Sequence, residues 1–105
     1  MVIMTGEKRK VADFLTEKKF KWKFQPSISV IDTEDGLRPF ISDFYLIDLG
    51  IYIDVYGAER NRHHNRKREI YKKNKVPIID VETYMNENDW KKNILRRIKE
   101  IQEKR

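Results

Sequence analysis

Two consecutive segments in the middle of the chain alternate between apolar and polar residues, and this pattern constrains the fold more than any other feature. Phe40–Ile47 and Ile51–Tyr56 have the period of two that is typical of β-strands, and the short segment between them ends at Gly50. We therefore predict two strands joined by a tight turn centred between Asp48 and Leu49.

That centre determines which residues face each other, with Asp43 opposite Asp54 and Phe44 opposite Ile53. Side chains alternate between the faces of a sheet. One face of this hairpin is then purely apolar and packs against a helix. The other face carries both acids together with three tyrosines, namely Tyr45, Tyr52 and Tyr56.

Directly opposed residues have Cβ atoms about 4.5–5.5 Å apart. Two carboxylates at about 4 Å repel each other by ~4 kcal/mol at an effective dielectric constant of about 20. A purely structural hairpin gains nothing from this pair, whereas a divalent cation such as Mg²⁺ makes it favourable. Two other interpretations stay open: the acids lie on a solvent-exposed edge, or a shifted register separates them.

The remaining periodicities predict one α/β domain spanning residues 1–105. Helical spacing or composition predicts three helices: Glu7–Lys18 with Thr5 as a possible cap, Ala58–Asn74, and a stripe from Trp90 to Ile101 capped by Asn86 or Asn88. Further strands are predicted at Lys21–Phe24, Ser27–Ile31 and Pro77–Val81. The order is a helix, three or four strands, a helix, a strand and a helix (α-β-β-β-α-β-α with three), which predicts a mixed β-sheet flanked by helices.

Charge is distributed unevenly along the chain. The window Ala58–Lys75 contains eight basic and two acidic residues, hence a net charge of +6, which equals that of the whole chain. The preceding window Asp32–Asp54 contains six acids and one arginine, a net −5. A basic helix exposed to solvent explains the first window in the simplest way. A phosphate-binding surface beside an acidic metal site is the alternative.

Composition excludes several classes of protein. Cysteine is absent, so disulfides and thiolate metal sites are excluded. No apolar run approaches the length of a membrane-spanning helix, and we expect a cytoplasmic, intracellular protein with no membrane partner.

His63 and His64 are adjacent, which on a helix places them about 100° apart, so we do not expect them to share a zinc ion.

Three segments together resemble the PD-(D/E)xK nuclease superfamily, which has the restriction-endonuclease-like fold. They are Ser42–Leu46 (SDFYL), Ile51–Gly57 (IYIDVYG) and Lys67–Val81 (KREIYKKNKVPIIDV). The sequence looks most like small members of the Holliday-junction-resolvase type and like helicase-linked nuclease domains. The resemblance covers Glu7 to Val81 and is less specific beyond it.

The resemblance assigns residues by position. Asp43 matches the aspartate of the PD element, with Ser42 in place of proline, and Asp54 matches the acid of the (D/E)xK element. Tyr56 occupies the position of the usual lysine. In the subgroup that this sequence resembles, a lysine of the following helix takes that role, and Lys67, four residues before Tyr71, matches it.

This resemblance implies a Mg²⁺- or Mn²⁺-dependent deoxyribonuclease. Asp43 and Asp54 would bind the metal with the carbonyl of Val55, helped by Glu7, which matches an acid on the first helix of many members. Lys67 would position the attacking water or stabilise developing charge, with Lys21 or Lys23 as alternatives. The residues expected to contact nucleic acid are Arg60, Arg62, Arg66, Lys72 and Tyr56.

Several points stay open at the level of sequence. Branched and single-stranded DNA both stay open as the substrate, and cutting two strands would require a homodimer. The Trp90–Ile101 stripe could form the dimer interface, although packing on its own sheet is the simpler interpretation. Because Tyr56 interrupts the motif, a catalytically inactive nuclease-fold module that only binds DNA is the main alternative. A basic α/β protein of unrelated function is the third.

Overall fold

The computed structural model describes Met4 and residues 6–105. Its helices are α1 (Gly6–Glu17), α2 (Arg62–Lys73) and α3 (Glu87–Glu103). Its strands are β1 (Trp22–Phe24), β2 (Ser27–Asp32), β3 (Gly36–Ile41), β4 (Phe44–Leu46), β5 (Ile51–Tyr56) and β6 (Ile78–Glu82). Thr5, the possible cap of the first helix, lies outside the described residues.

Four of these strands form a mixed sheet in the order β1-β4-β5-β6. Strand β6 runs parallel to β5, and the other neighbours are antiparallel. Strands β2 and β3 form a separate two-stranded sheet. The predicted α/β class, a mixed sheet flanked by helices, is confirmed. Strand β2 matches the predicted strand Ser27–Ile31, but it pairs with β3 in a separate hairpin, which the predicted single sheet did not contain.

The predicted register between β4 and β5 is confirmed, since Phe44 pairs with Ile53 and Tyr45 with Tyr52. The prediction of one continuous strand over Phe40–Ile47 is wrong. Strand β3 ends at Ile41, and the backbone then changes partners. The amide of Ser42 donates to the carbonyl of Pro26, whereas that of Asp43 donates to the carbonyl of Ile53. Asp43 therefore lies where the chain passes from the small sheet to the large one.

Helices α1 and α3 cover the apolar face of the large sheet. Leu15 and Ile94 are fully buried against this face, together with Phe44 and Ile53. Trp90 and Ile98 of α3 are buried in the same core, so this part of the C-terminal stripe packs on its own sheet, in agreement with the simpler interpretation. None of the helices in the described part of the chain is long and apolar enough to cross a membrane.

Helix α2 and the β2–β3 hairpin cover the opposite face of the sheet. Ile28 and Val30 of the hairpin pack with Ile70 and Tyr71 of the helix. The prediction that this helix begins at Ala58 is wrong, because Asn61 ends the preceding loop as an N-cap that accepts a hydrogen bond from the amide of His64. The N-cap Asn86 of α3 agrees with one of the two predicted choices.

Candidate active site

A cleft of about 230 Å³ opens between the N-terminus of α2, the end of β3 and the start of α1. It contains both acids of the resemblance and the helix lysine assigned to the same site. Its lining residues are Lys8, Ile41, Asp43, Asp54, Val55, Tyr56, His64 and Lys67. Tertiary structure thus brings together residues of two helices, α1 and α2, and two strands, β3 and β5, that are distant in the chain.

Asp54 lies on β5 and points away from the apolar core, yet it is only 4% exposed because α2 covers it. Its Oδ1 atom accepts a hydrogen bond from the Ser42 hydroxyl (2.8 Å) and a longer one from the Asp43 amide (3.3 Å). Burial raises the pKa of Asp54 to about 6, and the charge of Asp43 adds to that rise, against the opposing effects of Lys67 and Ser42.

Asp43 lies at the crossover between the two sheets, where its carboxylate reaches both β5 and α1. Its Oδ2 atom accepts a hydrogen bond of 2.6 Å from the Val55 amide, which holds the side chain against the strand that carries Asp54. Its Oδ1 atom lies 3.0 Å from Nζ of Lys8. The two acids therefore lie side by side, as the hairpin register predicted, although Asp43 itself is outside β4.

Lys67 reaches the same cleft from α2. Its Nζ atom lies 3.9 Å from Oδ2 of Asp54 and donates a hydrogen bond of 2.8 Å to the carbonyl of Ile41. The ammonium group also lies over the rings of Phe40 and Tyr71, 5.8 and 5.5 Å from their centroids. These contacts hold a flexible side chain in one place beside a buried carboxylate.

Sequence reasoning did not identify Lys8 as a residue of this site. It also missed the hydrogen bond that Ser42 donates to Asp54. A signal for Lys8 exists, because it lies three, four and seven residues before Val11, Ala12 and Leu15, which are the buried face of α1. A lysine in line with a buried stripe is a candidate for a partner inside the fold. No comparable signal exists for Ser42, whose hydroxyl finds Asp54 only after β4 and β5 pair.

Glu7 and Tyr56 have surroundings that the sequence did not indicate. Glu7 packs against Gly57, where an added Cβ would lie 3.0 Å from the Glu7 Cγ, and it does not line the cleft. Hydrogen bonds from Thr83 and Lys10 lower the pKa of Glu7. Tyr56 lines the cleft but is 6% exposed, with burial raising its pKa.

The basic residues expected to contact nucleic acid fall into two groups. Arg60 lies 3.6 Å from both Asp80 and Glu82 and covers the ring of Tyr56, and Arg66 lies 2.8 Å from Glu34. These two already have acidic partners. Arg62 and Lys72, in contrast, are exposed and have no ion pair within the described part of the chain.

The donor set of the cleft fits a hard divalent cation. Among residues 4 and 6–105, no cluster of three or more His, Cys, Asp and Glu side chains occurs. Mg²⁺ is typically bound by one or two carboxylates and completes its coordination with water and phosphate oxygens. Asp43 and Asp54 match that arrangement. The buried Asp54, whose ionised form burial disfavours, would gain most from a nearby cation.

The fold is similar to that of one solved catalytic domain. A comparison with solved structures matches the homing endonuclease I-Bth0305I catalytic domain with a TM-score of 0.53 and 19% sequence identity, over 94% of this chain and 92% of that one. At this identity the likeness concerns the fold alone. No protein-family model matches the sequence. No curated protein matches it either.

Proposed function

We propose that this chain is a metal-dependent endonuclease of the PD-(D/E)xK superfamily that hydrolyses phosphodiester bonds of DNA. The observation that carries the proposal is the meeting of Asp43, Asp54 and Lys67 in one cleft, with Lys67 Nζ 3.9 Å from Asp54 Oδ2. This constellation lies on a fold shared with a homing endonuclease catalytic domain. Two acids and a lysine on an unrelated fold would carry far less weight.

Asp43 and Asp54 would hold Mg²⁺ or Mn²⁺, with the Val55 carbonyl as a further ligand. When bound, such an ion lowers the pKa of a water molecule and neutralises charge on the phosphate. Ser42 orients the Asp54 carboxylate through its 2.8 Å hydrogen bond. Glu7 stays a prediction as a metal helper, and its carboxylate would have to turn from Lys10 towards the cleft.

Lys67 would take the role that the strand lysine has elsewhere in the superfamily. Its ammonium group is anchored by the Ile41 carbonyl at the edge of the cleft, where a phosphate would lie beside the two acids. A positive charge held there before the substrate binds stabilises negative charge that develops on the phosphate oxygens. Tyr56, which occupies the usual lysine position, is buried under Arg60 and next to His64.

DNA would be held through phosphate contacts that do not depend on sequence. Arg62 and Lys72 are the exposed candidates on α2, and Arg60 and Arg66 would have to share their acidic partners with the substrate. Such contacts select shape rather than bases, which suits branched or single-stranded DNA. Cutting both strands of a duplex would require two copies of the chain, because one cleft cuts one strand.

A DNA-binding module without catalysis is the second candidate, and the observation that favours it is the tyrosine at position 56. The two functions separate in one experiment. Supercoiled, branched and single-stranded DNA are incubated with the protein in Mg²⁺, in Mn²⁺ and in EDTA. We expect cleavage only with a divalent ion. Salt-sensitive binding without any cleavage would support the module, and absence of binding would contradict both proposals.

A further inference from the structure

Lys8 gives the cleft a second lysine that the nuclease motif does not contain. Its Nζ atom lies 3.0 Å from Oδ1 of Asp43, and the two side chains are 27% and 17% exposed. The ammonium group also lies 6.0 Å from the centroid of the Phe24 ring. Because Val11 and Leu15 of the same helix are fully buried, packing of the core holds the backbone of Lys8 beside the acid.

Each acid of the pair thus has its own ammonium group, Lys8 beside Asp43 and Lys67 beside Asp54. A divalent ion placed at the two carboxylates would meet both of these positive charges at short range, where like charges repel strongly. One of the ammonium groups must move for the ion to bind. Oδ2 of Asp43 already accepts the Val55 amide and Lys8 lies beside Oδ1, so an ion that binds Oδ1 would compete directly with the ammonium group of Lys8.

We propose that Lys8 occupies the cation position at Asp43 in the metal-free protein, and that it becomes a catalytic residue when a divalent ion displaces it. The displaced ammonium group would then bind the scissile phosphate of the DNA, which is the nearest other negative charge once the substrate lies in the cleft. The flexible four-carbon stem of lysine allows this movement without a change in the backbone of α1. The claim that Lys8 occupies the cation position rests on the carboxylate pair alone. The claim that Lys8 is catalytic rests on the proposed nuclease function.

This assignment explains how a site with Tyr56 at the usual lysine position would still present two positive charges to a phosphate. Lys67 approaches from α2 and Lys8 from α1, and both line the cleft that contains the acid pair. A phosphate that binds between them would be contacted from both sides. Charge-assisted contacts of this kind are the stronger ones in proteins.

The test compares Lys8→Met with Arg9→Met, which removes one positive charge at the neighbouring, exposed position of the same helix. Mn²⁺ binding to the full chain is measured by calorimetry without DNA. We expect Lys8→Met to bind Mn²⁺ about tenfold more tightly than the parent, because a competing cation is removed. With saturating Mn²⁺, plasmid cleavage by Lys8→Met should fall by about tenfold or more. Arg9→Met should match the parent in both measurements.

Lys8→Arg keeps a cation beside Asp43 and should bind Mn²⁺ as weakly as the parent. It therefore controls for any effect that substitution at this position has on folding. Thermal unfolding of each variant reports the same effect directly. Equal or weaker Mn²⁺ binding by Lys8→Met would overturn the competition. Tighter binding with undiminished cleavage would overturn the catalytic role. If Asp43→Asn and Asp54→Asn bind Mn²⁺ as well as the parent does, the carboxylates are not the ion site, and the proposed function fails together with this inference.

Discussion

The Nζ atom of Lys67 lies 3.9 Å from Oδ2 of Asp54, which places a helix lysine beside the acid of a strand. Tyr56 lies two residues after Asp54 on the same strand, where the resemblance to the PD-(D/E)xK superfamily would place a lysine, and its side chain is buried against α2. The positive charge therefore comes from a different element of the fold. Its position depends on how α2 docks on β5 rather than on the spacing of residues along β5.

Replacing this lysine by methionine tests its role. Lys67→Met should lower the rate of DNA cleavage by about 10²-fold or more, because a preorganised charge beside the phosphate is lost. DNA binding should change little. Single-turnover cleavage and a binding isotherm separate the two effects, and Lys73→Met, an exposed charge on the same helix, serves as the control. Equal rates for Lys67→Met and the parent would remove Lys67 from the site.

Asp54→Asn keeps the shape of the side chain but removes its charge. We expect cleavage to fall by about 10²-fold or more, because the residue can no longer bind a divalent ion as a carboxylate. The folded state should persist, since a buried charge is replaced by a neutral group. Plasmid cleavage and thermal unfolding give the two results. Asp48→Asn, at the exposed turn of the same hairpin, should cut as the parent does, and a loss of activity there would point to an effect of net charge.

The raised pKa of Asp54 predicts a specific dependence of stability on pH in EDTA. The pKa rises from an ordinary 3.8 to about 6 on folding, so the native state binds more protons than the unfolded state between these values. The contribution of this group to the free energy of unfolding is therefore largest below about pH 4. It declines as the pH rises to about 6, by about 3 kcal/mol in all.

Other acids change stability in the opposite direction, since contacts lower the pKa of Asp32 and of Glu7. The informative quantity is thus the difference in the free energy of unfolding between the parent and Asp54→Asn, measured with urea at several pH values. We expect the parent to lose stability relative to the variant as the pH rises from about 4 to about 6. A difference that does not change with pH would show that the pKa of Asp54 is not raised.

Arg62 and Arg66 should contribute differently to DNA binding, although they lie close together on α2. Arg62 is exposed and unpaired in the described structure, so Arg62→Ala should reduce the slope of log K against log salt by about 1. Arg66→Ala should have a smaller effect on the slope, because its guanidinium lies 2.8 Å from Glu34 and 3.7 Å from Asp32. It should lower thermal stability instead. Titrations at several salt concentrations test this order, and the reverse order would contradict it.

Asn74 should hold the β2–β3 hairpin against α2. Its Oδ1 atom accepts a hydrogen bond of 2.7 Å from the Ile31 amide, and its Nδ2 atom donates one of 2.9 Å to the Ile31 carbonyl. Asn74→Ala should destabilise the protein by about 1–3 kcal/mol and speed hydrogen exchange of the Ile31 amide. Asn65→Ala, at an exposed position of the same helix, should leave that exchange unchanged. Unaltered protection of Ile31 in Asn74→Ala would show that the hairpin is held by other contacts.

Much of the fold was predictable because its elements have clear local periods. The pairing of Phe44 with Ile53 follows from a short turn between two alternating segments, since a tight hairpin allows few registers. The same register places Asp43 next to Asp54. The cap at Asn86 follows from the preference of asparagine for helix starts. These features depend on residues that are near one another in the chain.

The interruption of the strand at Ser42 was not predictable in this way. Alternation continues through Phe40–Ile47, but the period of two carries no information about which backbone each residue pairs with. The amide of Ser42 donates a hydrogen bond to the carbonyl of Pro26, whereas the amide of Asp43 donates one to the carbonyl of Ile53. This change of partner decides where the strand ends. The presence of a second sheet is likewise a property of long-range pairing.

By itself, then, the sequence determined the α/β class, the hairpin register and the adjacency of the two acids, because each of these depends on short-range pattern. The resemblance assigned Lys67 to the site, whereas only the tertiary structure placed Lys8 beside Asp43 and determined the geometry of both contacts. Lys8 and Lys67 reach Asp43 and Asp54 from helices packed on opposite faces of one sheet. Their meeting depends on the docking of whole helices by buried side chains such as Leu15 and Tyr71, and that docking has no local signature in the chain.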